Sequence, residues 1–379
     1  PMKGDTMSQA AYTHLFRPLT LDGLRLKNRI TMAPLYLGYA AWGGKVSPLL
    51  LSHYRLMARS GAALVVVENA SVTPGGSGGG RTIRADHNRY LQQLGWLSDA
   101  IKEEGALSAL QINHAGRFAR VDQPVAPSAV TAFDRTPRAL LRREIKTIGK
   151  QFASAAWRVR EAGFDLVELH GGTGYLLSQF VSPRTNRRDD VYGGSLENRM
   201  RFPLEVFGRV KDTVGDMPVG YRFLADEWLP DGLGLEESRV FAKALEEAGV
   251  AYLSVMGGTY ESFFLPEVVE RSKKPGYMAY LAEAIREEVS VPVIAAGRIS
   301  TPGLAETILE KGQADLIGLA RMLWADPDWV SKAREGRDAS IVKCSPKCNA
   351  CMELVMQGKP AYCPKWRKEK REEYRGMFY

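Results

Sequence analysis

The sequence predicts an α/β fold, a (β/α)8 TIM barrel with a short Cys-rich C-terminal extension, and three observations carry that expectation. Short β-branched apolar runs alternate eight times with amphipathic stretches, and runs that are apolar throughout suit parallel strands covered on both faces. Gly61, Gly105, Gly163, Gly249 and Gly312 each follow an amphipathic stretch and precede an apolar run, where a helix takes a left-handed C-cap. Eight such units over about 320 residues match the size of one barrel. A doubly wound open sheet is the alternative arrangement of the same elements.

In chain order, strands are expected over 29–33, 63–68, 109–113, 166–170, 219–223, 252–255, 292–296 and 316–319, and helices over 48–60, 88–104, 144–162, 195–214, 235–248, 276–288, 302–311 and 326–335. Ser47-Pro48 and Thr301-Pro302 set an N-cap hydroxyl before a proline at the first helical position, which marks the starts of the first and seventh helices. The run Gly75–Gly80 lacks the ordered spacing of a dinucleotide fingerprint and opens onto no helix, so a flexible loop is expected there. The chain divides into a barrel over residues 1–340 and a Cys-rich segment with a basic tail over 341–379.

With 379 residues, 45% of them hydrophobic, the chain can bury a sizeable core, which excludes overall disorder. Pro1–Thr13 holds no apolar stretch of the signal-peptide kind, and nowhere do about 18 apolar residues run uninterrupted. A cytoplasmic protein with no membrane partner is expected. The formal charge is +8, and six basic residues against three acidic ones crowd into Pro364–Tyr379. No aromatic residues interleave with them in a stacking pattern, so the tail reads as solvated or interface-forming and no nucleic-acid partner is expected. All four cysteines lie between residues 344 and 363. Such clustering suits ligands of one inorganic centre in a reducing compartment rather than a disulfide framework.

Polar residues at strand ends are the informative ones in a barrel, because the active site forms on the loops that follow the strands. Strand three ends with Gln111, strand four with His170 and then Tyr175, and strand five carries Arg222; strand seven leads into Gly297-Arg298 and strand eight into Ala320-Arg321. The last two loops form the usual phosphate position of a barrel, so a cofactor with a phosphate tail is implied. Gln111 and Arg222, deeper in the mouth, would meet a flat ring with carbonyl and imide groups, and Arg222 would stabilise negative charge on a reduced flavin.

Asn28–Leu35, Leu110–Arg117, His170–Tyr175, Phe180–Arg188 and Tyr192–Arg199 resemble the Old Yellow Enzyme family of FMN oxidoreductases, and the resemblance runs from about Leu15 to Trp329. It implies that Ala33, Pro34, Leu35 and Tyr36, with Gln111 and Arg222, hold the isoalloxazine, and that Gly297, Arg298, Ala320 and Arg321 hold the phosphate. Tyr36 stands where relatives carry a Thr or Cys that tunes the ring, and Asn69 where they carry a small residue. The implied reaction is an ene-reduction: NAD(P)H gives hydride to FMN, which gives it to the β-carbon of an α,β-unsaturated carbonyl or thioester, a small-molecule substrate. His170 would polarise the substrate carbonyl; Thr173 replaces the family's usual second His or Asn in that anion hole; Tyr175 aligns with the tyrosine that protonates the α-carbon. His14, His53, His87 and His114 receive no role, and His53, on the first helix, reads as structural.

Cys344-x3-Cys348-x2-Cys351-x11-Cys363 reads as one tetrathiolate site, an iron–sulfur cluster or zinc. The spacing is similar to that of the family's iron–sulfur branch, which includes 2,4-dienoyl-CoA reductase and trimethylamine dehydrogenase and implies [4Fe-4S]. That branch adds a second half for FAD or ADP and NAD(P)H, which a chain ending at Tyr379 is expected to lack. The reductant would then act directly at FMN, or an electron-transfer protein would exchange electrons through the cluster. An amine dehydrogenase or demethylase that passes electrons from substrate through FMN to the cluster is the alternative function, and a catalytically silent scaffold a third. The ending Tyr374–Tyr379 resembles those members whose C-terminus reaches a neighbouring subunit's active site, which implies a homo-oligomer.

Overall fold

A computed structural model describes residues 12–378, so most of the N-terminal stretch read for a targeting signal, and the terminal Tyr379, lie outside the described residues. Eight parallel strands form the barrel: β1 (Ile30–Met32), β2 (Leu64–Ser71), β3 (Leu107–Asn113), β4 (Leu166–Gly171), β5 (Val219–Asp226), β6 (Tyr252–Gly257), β7 (Val293–Ala295) and β8 (Leu316–Leu319). The sheet closes because β1 pairs with both β8 and β2. The main helices that follow the eight strands in turn are α1 (Pro48–Arg59), α2 (Leu91–Lys102), α3 (Arg142–Glu161), α4 (Leu196–Val214), α5 (Leu235–Glu247), α6 (Ala279–Arg286), α7 (Pro302–Glu310) and α8 (Trp329–Arg334).

The punctuation works as its chemistry requires. Ser47 and Thr301 accept from the amides of Leu50 and Leu304 at 3.0 and 3.2 Å, and the five inter-element glycines all take positive φ. β2 and β5 run past the expected ends, to Ser71 and Asp226, because a register shift in each lets pairing resume beyond it.

Strand alternation sorts the side chains. Val65, Val67, Leu110, Val167, Leu169, Leu253 and Val255 face the helices, whereas Leu64, Val66, Ala109, Leu166, Tyr252, Ile294 and Leu316 fill the barrel. A hairpin absent from the expected elements, Leu19–Leu21 paired with Leu24–Leu26, plugs the barrel floor with Leu21 and Leu26. Its turn, Asp22-Gly23, has positive φ at both residues, 44° and 84°. Inside the barrel, Gly220 makes room for the ring of Tyr252, which a Cβ there would meet at 2.2 Å.

The C-terminal residues fold back onto the barrel. Ile341, Ala361, Cys363, Trp366 and Tyr374 are buried in the same core as the barrel helices, with α9 (Ala350–Met356) and α10 (Lys368–Phe378) between and after them. Trp366 Nε1 donates to the Trp324 carbonyl at 3.1 Å, and the Tyr374 hydroxyl to that of Pro360 at 2.8 Å. Tyr374, the first residue of the ending read as reaching a neighbouring subunit, is thus turned inward on its own. Among the described residues no helix is long and apolar enough to cross a membrane.

Candidate active site

Above the apolar fill of the barrel lies a polar layer. Glu168, buried on β4, accepts from Gln111 Nε2 at 2.7 Å and from the Tyr252 hydroxyl at 2.8 Å. Arg222 on β5 donates to Ser254 Oγ at 2.7 Å. Burial pushes the Glu168 carboxyl up, and Arg222, Tyr252 and Gln111 oppose that rise. Gln111 and Arg222 thus share one layer with the Glu168 carboxyl, a residue to which the sequence assigns no role.

His170 sits two residues above Glu168 on the same face of β4. Its Nδ1 accepts from the Gly172 amide at 3.2 Å, so the ring proton resides on Nε2, which remains a donor. Burial first, and then the charge of Arg222, hold the imidazole well below its ordinary pKa. It is neutral across the physiological range. The Tyr175 ring meets it edge-on at 4.8 Å and 88°. Thr173, between them, has φ 60°, a left-handed conformation that β-branched residues rarely adopt, and its hydroxyl is directed to Met256 Sδ at 3.6 Å. His170 and Tyr175 are adjacent, while Thr173 Oγ1 is turned aside to sulfur. Tyr260, unforeseen in the sequence, lies with its hydroxyl 2.8 Å from that of Tyr175.

Gly297, Arg298, Ala320 and Arg321 line one cavity of about 160 Å³ together with Ala33, Pro34, Arg222 and Cys344. Three arginines and no carboxylate are among the described residues that line it. Arg298, at φ 52° beside Gly297 at φ 101°, is pushed down by burial and by the charge of Arg321. Like charges held together beside left-handed backbone fit an anionic group. Leu35 and Tyr36 do not line this cavity. Tyr36 is pushed up to about 12 by burial and by the charge of Glu68. Glu68 itself is buried, is pushed up to about 8 by that burial, and accepts from the Leu37 amide at 3.0 Å; its other oxygen has no partner.

Within the run Gly75–Gly80, Gly75 is open, whereas Gly76 and Gly80 are closely packed. A Cβ at Gly76 would meet the His114 ring at 2.6 Å, and one at Gly80 the Trp42 ring at 2.1 Å. His53, wedged between Tyr39 and Tyr54, is pushed down to about 3 by burial, in keeping with a structural residue.

Cys363 is buried and Cys344, Cys348 and Cys351 are half-buried. Burial raises the Cys351 and Cys363 thiols, and the charges of the other cysteines raise them further. The four thiols thus lie in one another's field, a donor set of the right chemistry for iron–sulfur or zinc. Among the described residues, however, no group of three or more His, Cys, Asp or Glu is arranged to hold a metal ion.

Known proteins resemble this chain along most of its length. The model of the NADH:flavin oxidoreductase / NADH oxidase family matches residues 14–340. An NADH oxidase from Thermoanaerobacter brockii is 44% identical over 348 residues, 89% of this chain and 53% of the relative. An NADPH dehydrogenase from Geobacillus sp. is 37% identical over 333 residues, 87% of this chain and 96% of the relative. The solved complex of 2-naphthoyl-CoA reductase with 2-naphthoyl-CoA superposes with a TM-score of 0.91 at 28% identity, over 96% of this chain and 58% of that one. The chain thus spans about half the length of the NADH oxidase it matches.

Proposed function

The chain belongs to the NADH:flavin oxidoreductase / NADH oxidase family, and on that premise we propose that it is an FMN-dependent ene-reductase acting on an α,β-unsaturated carbonyl or thioester. When bound, FMN supplies the hydride relay between NAD(P)H and the β-carbon of the substrate. Gly297, Arg298, Ala320 and Arg321 hold its phosphate, and Ala33–Tyr36 with Gln111 and Arg222 hold its ring. The cavity lined by three arginines supports the phosphate assignment.

The observation that carries the reading is the neutral His170, whose Nδ1 is occupied by the Gly172 amide and whose Nε2–H is left to donate. As hydride arrives, negative charge grows on the carbonyl oxygen of the substrate, and a fixed neutral donor stabilises it without a competing proton transfer. Tyr175, edge-on to that ring, gives its proton to the α-carbon. Burial holds its phenol well above 10, so it keeps the proton until a carbanion is there to take it. A cationic amine would meet the buried Arg222 guanidinium, and the carboxyl beside it, Glu168, is already engaged by Gln111 and Tyr252, which favours the alkene reading over amine oxidation. The thioester in the 2-naphthoyl-CoA complex supports acyl-CoA compounds as one class to try.

We further assign Cys344, Cys348, Cys351 and Cys363 as ligands of a [4Fe-4S] cluster that could serve an electron-transfer partner, with the cluster segment 341–379 distinct from the FMN-binding barrel 1–340. Anaerobically purified protein is expected to show flavin bands and about four irons with matching sulfide per chain; zinc without iron would reassign the thiols. Turnover of cyclohexenone and of an enoyl-CoA with NADH and NADPH tests the reaction. Tyr175→Phe is expected to slow alkene reduction and leave flavin reduction intact; equal loss in both steps refutes the acid role.

A further inference from the structure

Tyr175 is not a lone phenol. Its hydroxyl lies 2.8 Å from that of Tyr260, and the two rings meet at 5.8 Å and 68°. Tyr260 comes from the loop after β6, 85 residues away in sequence, and is held there firmly. Phe118 packs edge-on against it at 5.1 Å and Phe263 at 6.3 Å. The next residue, Glu261, accepts from the buried Arg117 and lies 3.3 Å from Arg184. The loop is thereby pinned to the segments that follow β3 and β4, which also supply Arg117 and Tyr175.

We propose that Tyr260 is a relay phenol: once Tyr175 has passed its proton to the α-carbon of the substrate, Tyr260 passes its own proton across the shared hydrogen bond to the Tyr175 oxygen, and solvent restores Tyr260. The inference rests on the acid role given to Tyr175 above. The balance is simple. The Tyr175 O–H breaks as the substrate C–H forms, the Tyr260 O–H breaks as that of Tyr175 reforms, and one proton from water replaces the one delivered. No electrons move in the relay.

Burial raises both phenols, yet in Tyr260 the bond from Tyr175 and the charge of Arg120 counter the rise, whereas in Tyr175 the shared bond adds to it. Either hydroxyl can donate across the 2.8 Å contact, so the bond can hand a proton in the direction of whichever oxygen has just lost one. Arg120 is exposed and its charge bears on Tyr36, Tyr175 and Tyr260 alike, so the phenolate forms beside a cation at the edge of the water. Without the relay, a buried Tyr175 phenolate would have to wait for water to reach it.

Tyr260→Phe keeps the ring contacts and removes only the relay oxygen. In the flavin-loaded protein, with NAD(P)H and cyclohexenone, it is expected to leave flavin reduction and the KM for the alkene unchanged, to lower kcat about tenfold, and to enlarge the solvent deuterium isotope effect. A wild-type kcat and isotope effect overturn the relay, as does a loss in flavin reduction equal to the loss in kcat, which marks a structural role. A second readout needs no turnover: with a ring fluorine placed on Tyr260, fluorine NMR reports its ionisation against pH. Tyr175→Phe removes the bond that favours the Tyr260 phenolate and is expected to raise that midpoint; an unmoved midpoint overturns the shared proton. If Tyr175→Phe reduces alkene at the wild-type rate, the acid assignment itself fails, and the fluorine titration still decides whether the two phenols share a proton.

Discussion

The amide of Ala361 donates to the carbonyl of Leu37 at 2.9 Å, which clips the Cys-rich segment onto the loop after β1, two residues before Cys363. The Tyr39 hydroxyl returns a bond to the Ala361 carbonyl at 2.7 Å, while the amide of Leu37 is held by Glu68 at 3.0 Å. One backbone residue thus joins a buried carboxyl within β2, the segment proposed to lie along the flavin, and the stretch that leads into Cys363.

Tyr39→Phe is expected to loosen that clip without unfolding the barrel. The lost bond is buried and neutral, worth about 1 kcal/mol. Limited proteolysis should cut within 341–378 sooner than in the wild type, with barrel fragments intact. Unchanged cleavage kinetics would show that Trp366 and Tyr374 hold the segment on their own.

Glu68→Gln tests the buried carboxyl through its pH dependence. Burial lifts its pKa from 4.5 to about 8, so between those values the unfolded chain has released a proton that the native protein keeps. Stability from this group is fully present below pH 4.5 and is lost as pH rises toward 8. The amide mimics the protonated acid and still accepts from Leu37. Urea unfolding should therefore find the variant equal to the wild type near pH 4 and a few kcal/mol more stable at pH 8. A difference that is flat with pH would mean that Glu68 is ionised in the native protein.

The buried carboxyls Glu68 and Glu168 mark the edge of what was legible in the sequence. Strand order, helix starts at Ser47 and Thr301, and the left-handed glycines follow from local rules, and each holds in the structure. The Asp22-Gly23 turn and its hairpin obey a local rule as well, since an Asp-Gly dipeptide between apolar residues is a strong short-range signal for one. Glu168 could have been found as well, since it lies at period two from His170 inside an apolar run, where a charge needs partners. Tyr260 could not. Its meeting with Tyr175 depends on barrel closure and on the Arg117–Glu261 anchor, and no local pattern encodes either. The sideways turn of Thr173 depends on a backbone angle that its residue type disfavours.

Thr173→Gly is expected to separate stability from function. A β-branched residue at φ 60° carries strain of about 1 kcal/mol or more, and glycine relieves it, so the unfolding midpoint should rise. If the hydroxyl assists the substrate oxygen, alkene reduction should slow in the same variant, and Thr173→Asn, which tolerates the angle and keeps a donor, should recover rate. Full activity in the glycine variant would restrict the role of Thr173 to its contact with Met256.

His170 should leave no mark of its own on the pH–rate profile. Its imidazole is held well below 6.5, first by burial and then by Arg222, so no group in the anion hole titrates between pH 6 and 8, and kcat for alkene reduction should show no acid limb near 6.5. His170→Ala removes the Nε2 donor and is expected to cost about a hundredfold in that step, whereas His170→Asn, which keeps an N–H, should lose less. The same depressed pKa works against the fold in acid. Below pH 6.5 the unfolded ring takes up a proton that the native ring refuses, so stability falls as pH falls, by about 1.4 kcal/mol per unit. His53, pushed down to about 3, and His114, to about 4, act in the same sense. His170→Asn should therefore flatten the acid limb of the stability curve by one proton while lowering activity at every pH, and an acid limb in kcat that vanishes with the histidine would instead show that His170 works as an imidazolium.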